Sequence, residues 1–273
     1  VRRVLTLLAW KSWSGVRRPG ASSRVLGLLL LGLGLAEAQI QVISEHRDNN
    51  HAAAGFHFSR VPAPAADDAA TYARFSLVDG APDFNSGGLA RLNDGKAPQV
   101  EDDPDKNFFF DAGTEGGRIQ VLFPREITLW QVATFSWHPN TRAAQVYRLY
   151  ASDGRSPRFV AAPKSGVEPE TCGWKLLAVV DTRPKTGEVG GQHGVFIKTA
   201  DGSPLGRFRH LLFDISRTES DDDYGNTFYS EIDLYEPPAP EPAGAAPSGA
   251  SGSSSSKVQP AGEDRVSSSR ALR

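Results

Sequence analysis

Apolar positions between residues 39 and 236 either alternate with polar ones or gather in short runs bounded by Gly, Pro, Asn or Asp. That is the period of extended chain, and no stretch carries the three-to-four spacing of a convincing amphipathic helix. The pattern predicts strands over residues 118–123, 127–137, 145–151, 174–180, 194–199, 207–215 and 227–235. In the first, Ile119, Val121 and Phe123 alternate with Arg118 and Gln120. In the last, Phe228, Ile232 and Leu234 share one face while Tyr229, Glu231 and Asp233 share the other, as in a strand buried on one side. Two shorter strands are expected at 56–59 and 74–78, and alanine-rich 64–73 is the one stretch that suits a short helix or capping turn. Strands at this spacing, with turn chemistry between them, predict an all-β fold of two packed antiparallel sheets. The pattern leaves open whether residues 39–80 join that sandwich or wrap around it. No linker-like stretch separates the parts, so one domain over 39–236 is expected.

The two ends read differently. Residues 1–24 carry only basic charges, Arg2, Arg3, Lys11, Arg17, Arg18 and Arg24, and a dense apolar run over 25–35 precedes Ala36-Glu37-Ala38. A positive region, a short apolar stretch and small residues three and one positions before a cut are the order of a secretory signal, so 1–38 is read as a signal peptide and Gln39 as the first mature residue. The run of about 11 apolar residues falls short of the ~20 a spanning helix needs, which argues against an uncleaved anchor. No cysteine lies near the cut, against a lipid anchor, and Pro19-Gly20 after Arg17-Arg18 is a poor fit to a twin-arginine signal. Residue 1 is Val and the 273 residues contain no Met, so the true start is left open. At the other end, 26 of the 37 residues over 237–273 are Pro, Gly, Ser or Ala. Such a tract buries too little apolar surface to offset its ordering entropy, and it is read as a disordered tail or tether.

Charge narrows the function. The whole chain has 30 basic and 32 acidic residues. Removing 1–38 takes away six basic residues and one acid, leaving 24 against 31, a net of −7. An acidic exported domain argues against binding nucleic acid or an anionic membrane through bulk charge, and leaves carboxylates available to a cation. A single cysteine, Cys172, excludes an intrachain disulfide framework and any multi-cysteine metal site.

Several segments, in order, resemble the discoidin domain, also called the coagulation factor five/eight type C domain. They are Leu92-Asn-Asp-Gly95; 117–123 followed by 127–132; Val146-Tyr-Arg-Leu-Tyr-Ala-Ser-Asp-Gly154; Gly173-Trp-Lys-Leu-Leu177; and 208–213 with Tyr229-Ser-Glu-Ile-Asp-Leu234. Phe135-Ser-Trp-His-Pro-Asn-Thr-Arg142 is similar to versions in secreted proteins of planctomycete-type bacteria. The resemblance covers about 89–236. It implies an antiparallel jelly-roll β-sandwich of the galactose-binding-like kind, and a non-catalytic module that binds carbohydrate or, in some members, lipid head groups or proteins. It also implies a structural calcium, with Asp94 and Glu231 at the matching positions and main-chain carbonyls of 95–97 and Ser230 completing an oxygen cage. Here the chain departs from the family pattern, since Lys96-Ala-Pro-Gln-Val and Glu101-Asp102-Asp103 replace an expected Thr and aromatic. Without the metal, Asp94 is a turn former beside Gly95 and Glu231 a solvated strand residue.

Sugar binding asks for an aromatic face against the ring's C–H surface with Arg, His, Asn or Asp at its hydroxyls. Trp137, His138, Asn140 and Arg142 offer all of these within six residues between two expected strands, although Trp137 is also in phase with Phe135 and Ala133 as a core residue. His193, Tyr224 and Asn226 carry similar chemistry in expected loops. Phe108-Phe109-Phe110 reads as buried strand more readily than as a membrane wedge, and Asp221-Asp222-Asp223 as a solvated turn. No His-Glu-x-x-His, Gly-x-Ser-x-Gly or phosphate-cradling glycine loop is present. Glu168, Glu170 and Asp181 are no more than the acids any acidic β protein offers, and Cys172 reads as a buried inert thiol. The expectation is an exported, non-catalytic binding module for extracellular glycan or another cell-surface component, without a membrane span in its mature part. The alternative is an envelope structural or adhesion protein contacting protein or lipid.

Overall fold

The computed structural model describes residues 38–219, 224 and 226–238. Residues 1–37 of the expected signal peptide, Asp221–Asp223 and all of the expected tail beyond Pro238 lie outside the described residues. Nine strands form: β1 Ile40–Arg47, β2 Arg74–Asp79, β3 Gly116–Leu129, β4 Gln131–His138, β5 Val146–Ser152, β6 Lys175–Asp181, β7 Gly191–Thr199, β8 Gly206–Ser216 and β9 Tyr229–Tyr235. They make a four-stranded sheet in the order β1-β7-β4-β9 and a five-stranded sheet in the order β2-β3-β8-β5-β6, with every pairing antiparallel. The chain crosses between the sheets five times after β2, which makes the sandwich a jelly roll. The expected all-β fold is the one observed, and Ala69–Tyr72 is a single 3-10 turn where a short helix or capping turn was expected.

The main core lies between the sheets. Ile119, Val121, Phe123, Leu149 and Phe213 meet Val132, Val195, Ile197, Ile232 and Leu234, all essentially without solvent contact. Two strand expectations change. The single run over 127–137 is two strands, because at Trp130 the chain leaves one sheet for the other. Its backbone N–H donates to Tyr235 O at 2.7 Å and its indole N–H to Gly202 O at 2.7 Å. Residues 56–59 form no strand, whereas β1, which pattern did not reveal, pairs along β7 from Ile40 opposite Thr199 to Arg47 opposite Gln192.

Residues 39–80 do both things that the pattern left open. β1 and β2 join the two sheets, while the segment between them packs on the outer face of the four-stranded sheet, with Phe56 and Val61 against Phe135, Trp137 and Phe196. β4 is therefore buried on both faces, which is why Val-Ala-Thr-Phe-Ser-Trp reads as a nearly continuous apolar run. Polar positions taken for solvent-facing are likewise covered. Arg118 and Gln120 lie under the 153–173 loop, where the Arg118 guanidinium makes a two-pronged pair with Asp214 (2.9 and 3.0 Å). Its Nη1 also donates to the carbonyls of Pro163, Lys164 and Val167. Cys172 is buried in the small cluster beneath that loop with Tyr150, Trp174 and Leu212. In β9 a bulge places Phe135 opposite Glu231 but Ser136 opposite Tyr229. The extra residue turns Tyr229 into the main core beside Ile232, so it does not share a face with Glu231 as alternation implied.

Candidate functional site

At the end of the sandwich, four chain segments surround a cleft of about 480 Å³. It is lined by residues 83–86, 102–105 and Tyr224, with Arg142 and the buried Phe109 and Phe228 as its floor. The floor is a stack. The rings of Phe109 and Phe228 lie face to face, 3.9 Å apart and 6° from parallel. The Arg142 guanidinium carbon is 4.1 Å from the Phe228 ring centre, 4.7 Å from that of Phe109 and 6.0 Å from that of Tyr224. Arg142 is aimed by a 3-10 turn over Thr141–Ala143 whose cap, Asn140, accepts the Arg142 backbone N–H through Oδ1 at 3.2 Å. Its Nε donates to Asn226 O at 3.2 Å, and Phe228 N–H donates to Arg142 O at 2.9 Å. The cation is thus held by ring faces and the Asn226 carbonyl, in a geometry that a planar guanidinium matches and an ammonium does not.

Above this floor the walls are open to water. Phe84 is 91% exposed and Tyr224 61%. Exposed aromatic side chains are informative when grouped, and here both border one cleft. Asp102 adopts a left-handed backbone (φ 52°), a conformation shared among described non-glycine residues only with Phe56. Its carboxylate lies 3.4 Å from His138 Nε2. The network assigns the tautomer, with Nδ1 accepting Asn140 N–H at 3.3 Å. Burial, and then the nearby Arg142 charge, hold His138 down to about 4, against the opposing pull of Asp102. His138 is therefore a neutral imidazole packed on Phe228 at 4.5 Å, behind the cleft and not in it.

The structure divides the seven residues expected to touch ligand. Arg142 and Tyr224 line the cleft; His138 and Asn140 brace it from behind. Asn226 is buried, and its side-chain amide donates to Asp111 O at 2.9 Å and Thr114 O at 3.3 Å, so it ties down the loop. Two expectations are corrected. Trp137 is not on a loop: as part of β4 its side chain falls in phase with Phe135 and packs edge-on to Phe56 at 6.3 Å in the outer core. His193 lies within β7, between β1 and β4, fully buried and stacked on His46 at 4.2 Å, its Nε2 bonded to Val189 O, and it does not line the cleft. Phe84, Phe109, Phe228 and the aspartates were not picked out beforehand. Phe84 alone left a trace, as an aromatic set among turn formers in Asp83-Phe-Asn-Ser-Gly. The Phe108–Phe110 run is buried as expected, with Phe109 serving as floor.

A second cleft of about 410 Å³ lies along β1, lined by residues 44–48, 51 and 58–60. Within it Arg60 pairs with Glu45 at 3.1 Å and His51 with Asp48 at 2.6 Å.

Asp94 and Glu231, the expected calcium ligands, do come together. Gly95 N–H donates to Glu231 Oε2 at 3.1 Å, and the loop approaches so closely that a Cβ on Gly95 (φ 67°) would lie 2.7 Å from Ala66 Cα. Glu231 is not the solvated residue of the metal-free reading. It is fully buried, with Oε1 lacking any partner, and its carboxyl is pushed up to about 9 by burial and then by Asp233, Asp94 and Asp68. Asp233 beside it is also buried, and accepts Ala65 N–H and Tyr235 O–H at 2.9 Å each. These hard oxygens suit calcium in type. Against that, Asp94 already pairs with Arg91 at 3.0 Å, and no group of three or more His, Cys, Asp or Glu among the described residues is arranged to hold a metal.

No family model matches the chain, and no curated protein matches it. Solved structures similar in outline include three family 32 carbohydrate-binding modules (CBM32). One is from a family 31 glycoside hydrolase and is bound to GalNAc (13% identity, TM-score 0.38, 60% of this chain and 97% of that one). Another is from a Clostridium perfringens family 31 glycoside hydrolase (10%, 0.38, 63% and 99%). The third is from C. perfringens NanJ in complex with galactose (14%, 0.37, 62% and 96%). At such TM-scores the likeness carries no weight on function, and nothing in it bears on the planctomycete-type version. Among the described residues no helix is long and apolar enough to cross a membrane. By its own strand order the chain is an all-β protein, an antiparallel jelly-roll sandwich.

Proposed function

We propose that the protein is an exported, non-catalytic carbohydrate-binding module whose ligand occupies the cleft between Phe84, Arg142 and Tyr224. The observation that carries this reading is a stacked, oriented Arg142 beneath two exposed aromatic side chains. A sugar ring has an apolar C–H face and a polar rim. Phe84 and Tyr224 cover the first, Arg142 donates hydrogen bonds to hydroxyl oxygens at the second, and the aspartates accept from hydroxyl protons. Because Arg142 is held by Phe228 and Asn226 before ligand arrives, little side-chain entropy is lost on binding. Catalysis finds no support in the cleft: His138, the nearest imidazole, is buried behind Phe228, and the acids stand on an open rim without an activated nucleophile.

Calcium at the Asp94 loop and Glu231 belongs to the same proposal. There it would take no part in binding chemistry and would offset the crowding of Glu231, Asp233 and Asp68. A glycan array probed with the full chain, with and without EDTA, tests both parts. Binding to a defined set of glycans that Arg142→Ala abolishes is expected, and silence across the array overturns the proposal.

A further inference from the structure

We infer that Asp102 is a positioning residue of the cleft, a strained latch on His138 that fixes the wall carrying Phe84 against the turn carrying Arg142; this rests on the carbohydrate reading above and deepens it. The left-handed backbone at Asp102 (φ 52°) is one that glycine adopts freely and other residues adopt only where something holds them. Aspartates usually tolerate such positions by bonding to their own turn. Asp83, Asp94 and Asp153 do bond that way here, accepting the N–H two residues on at 2.9, 3.0 and 2.9 Å. Among the described residues Asp102 caps no such N–H, and its carboxylate instead meets His138 Nε2 at 3.4 Å.

His138 is fitted to receive that carboxylate. It ends β4 opposite Gly191 and is buried, and its Nδ1 accepts Asn140 N–H at 3.3 Å, which leaves Nε2–H as the donor toward Asp102. Asn140 Oδ1 accepts Arg142 N–H at 3.2 Å, so one chain of contacts runs from Asp102 to the turn that aims the guanidinium. On the other side the position is passed to Phe84. Asn107, fully buried, donates from its side-chain amide to Asp103 O at 2.6 Å and accepts Ser230 O–H at 2.6 Å, which anchors the segment to β9. The loop bearing Phe84 leads into Gly87, whose N–H donates to Pro104 O at 3.0 Å and Asn107 O at 2.9 Å, so close that no Cβ fits between Gly87 and Asp105 O. Asn107 thus holds the inner end of 102–107 and Asp102 the outer end. A glycine at 102 would relieve the backbone and free the wall. The strained aspartate keeps it in place before ligand arrives, which spares the entropy of ordering it on binding.

Asp102→Gly and Asp102→Asn in the full chain test this by calorimetry with the tightest glycan from the array. Glycine suits the backbone and cannot reach His138, whereas asparagine tolerates the same backbone and keeps a side-chain oxygen for Nε2–H. Asp102→Gly is expected to melt within about 2 °C of the wild type and to bind glycan about fivefold or more weakly. Asp102→Asn is expected to recover most of that loss. Hydrogen exchange without glycan gives a second reading: Gly87 N–H is expected to exchange about fivefold faster in Asp102→Gly and at the wild-type rate in Asp102→Asn. Wild-type affinity or wild-type exchange in Asp102→Gly overturns the latch and leaves the carbohydrate reading standing. So does equal loss of binding in both variants, which would make the carboxylate charge a ligand contact, and so does a loss that only accompanies a lost fold. Silence of the wild type on every glycan overturns the carbohydrate reading, and unchanged Gly87 exchange in Asp102→Gly then overturns the latch by itself.

Discussion

The guanidinium of Arg142 lies 4.1 Å from the centre of the Phe228 ring, so the one cation of the cleft is fixed by an aromatic face on the segment entering the last strand. This explains why a residue from the β4–β5 connection and one from just before β9 act as one unit. Replacing Arg142 by Lys keeps the charge but loses the planar stack and the Nε bond to Asn226. Arg142→Lys is expected to weaken glycan binding by about tenfold or more while costing only ~1 kcal/mol of stability. Calorimetry and urea unfolding on the same preparation check the two effects separately.

Arg118 predicts a larger effect on stability. Its side chain is 6% exposed and carries five hydrogen bonds to Asp214 and the carbonyls of 163–167. Arg118→Ala leaves Asp214 and three carbonyls without their donor, for an expected cost of ~3 kcal/mol. Limited proteolysis is then expected to cut within 153–173 in the variant and to leave that loop uncut in the wild type. An uncut loop and unchanged unfolding would contradict the clamp.

Two histidines give the protein an acid limit. His138 and His193 are both held neutral in the fold down to about 4, chiefly by burial. The unfolded chain takes up those protons near 6.5, so between about 4 and 6.5 it binds more protons than the folded form, and stability falls as pH drops through that window. Glu231, protonated in the fold and ionised in the unfolded chain over the same range, pulls the other way, so the histidine part is read against a variant. From pH 7 to pH 5 the wild type should lose more melting temperature than His193→Gln does, and parallel profiles for the two would rule out a neutral buried His193.

Glu231 decides the calcium proposal. EDTA is expected to lower the melting temperature of the wild type, and Glu231→Gln is expected to remove that response, since metal bound only by the folded state stabilises it by mass action. If the wild type melts identically with calcium and with EDTA, Glu231 is instead a protonated buried acid, and the Gln variant should then be nearly as stable as the wild type.

The sandwich was legible because seven of its strands carry their own alternation between turn residues. What escaped had local causes. β1 packs its core side only partly and shows no clean alternation, so its pairing with β7 is a tertiary fact. The covered outer faces turned apparent polar positions such as Arg118, Glu231 and Asp233 into buried ones, because residues distant in sequence lie over them. At the site, Arg142 and Tyr224 announced themselves by chemistry. Trp137 did so as well but proved to be core, because strand phase decides direction before chemistry decides use. Phe84 and Phe228 could be assigned only after folding, when one was left in water and the other became the floor.

The central claim is the place where glycan binds, and amide chemical-shift mapping during titration with the tightest glycan from the array measures it most directly. Shifts confined to residues 83–86, 102–109, 138–142 and 224–228, and lost in the Phe84→Ala/Tyr224→Ala variant, are the predicted result. Shifts centred on the β1 cleft at 44–60, or persisting unchanged in that variant, would contradict the account.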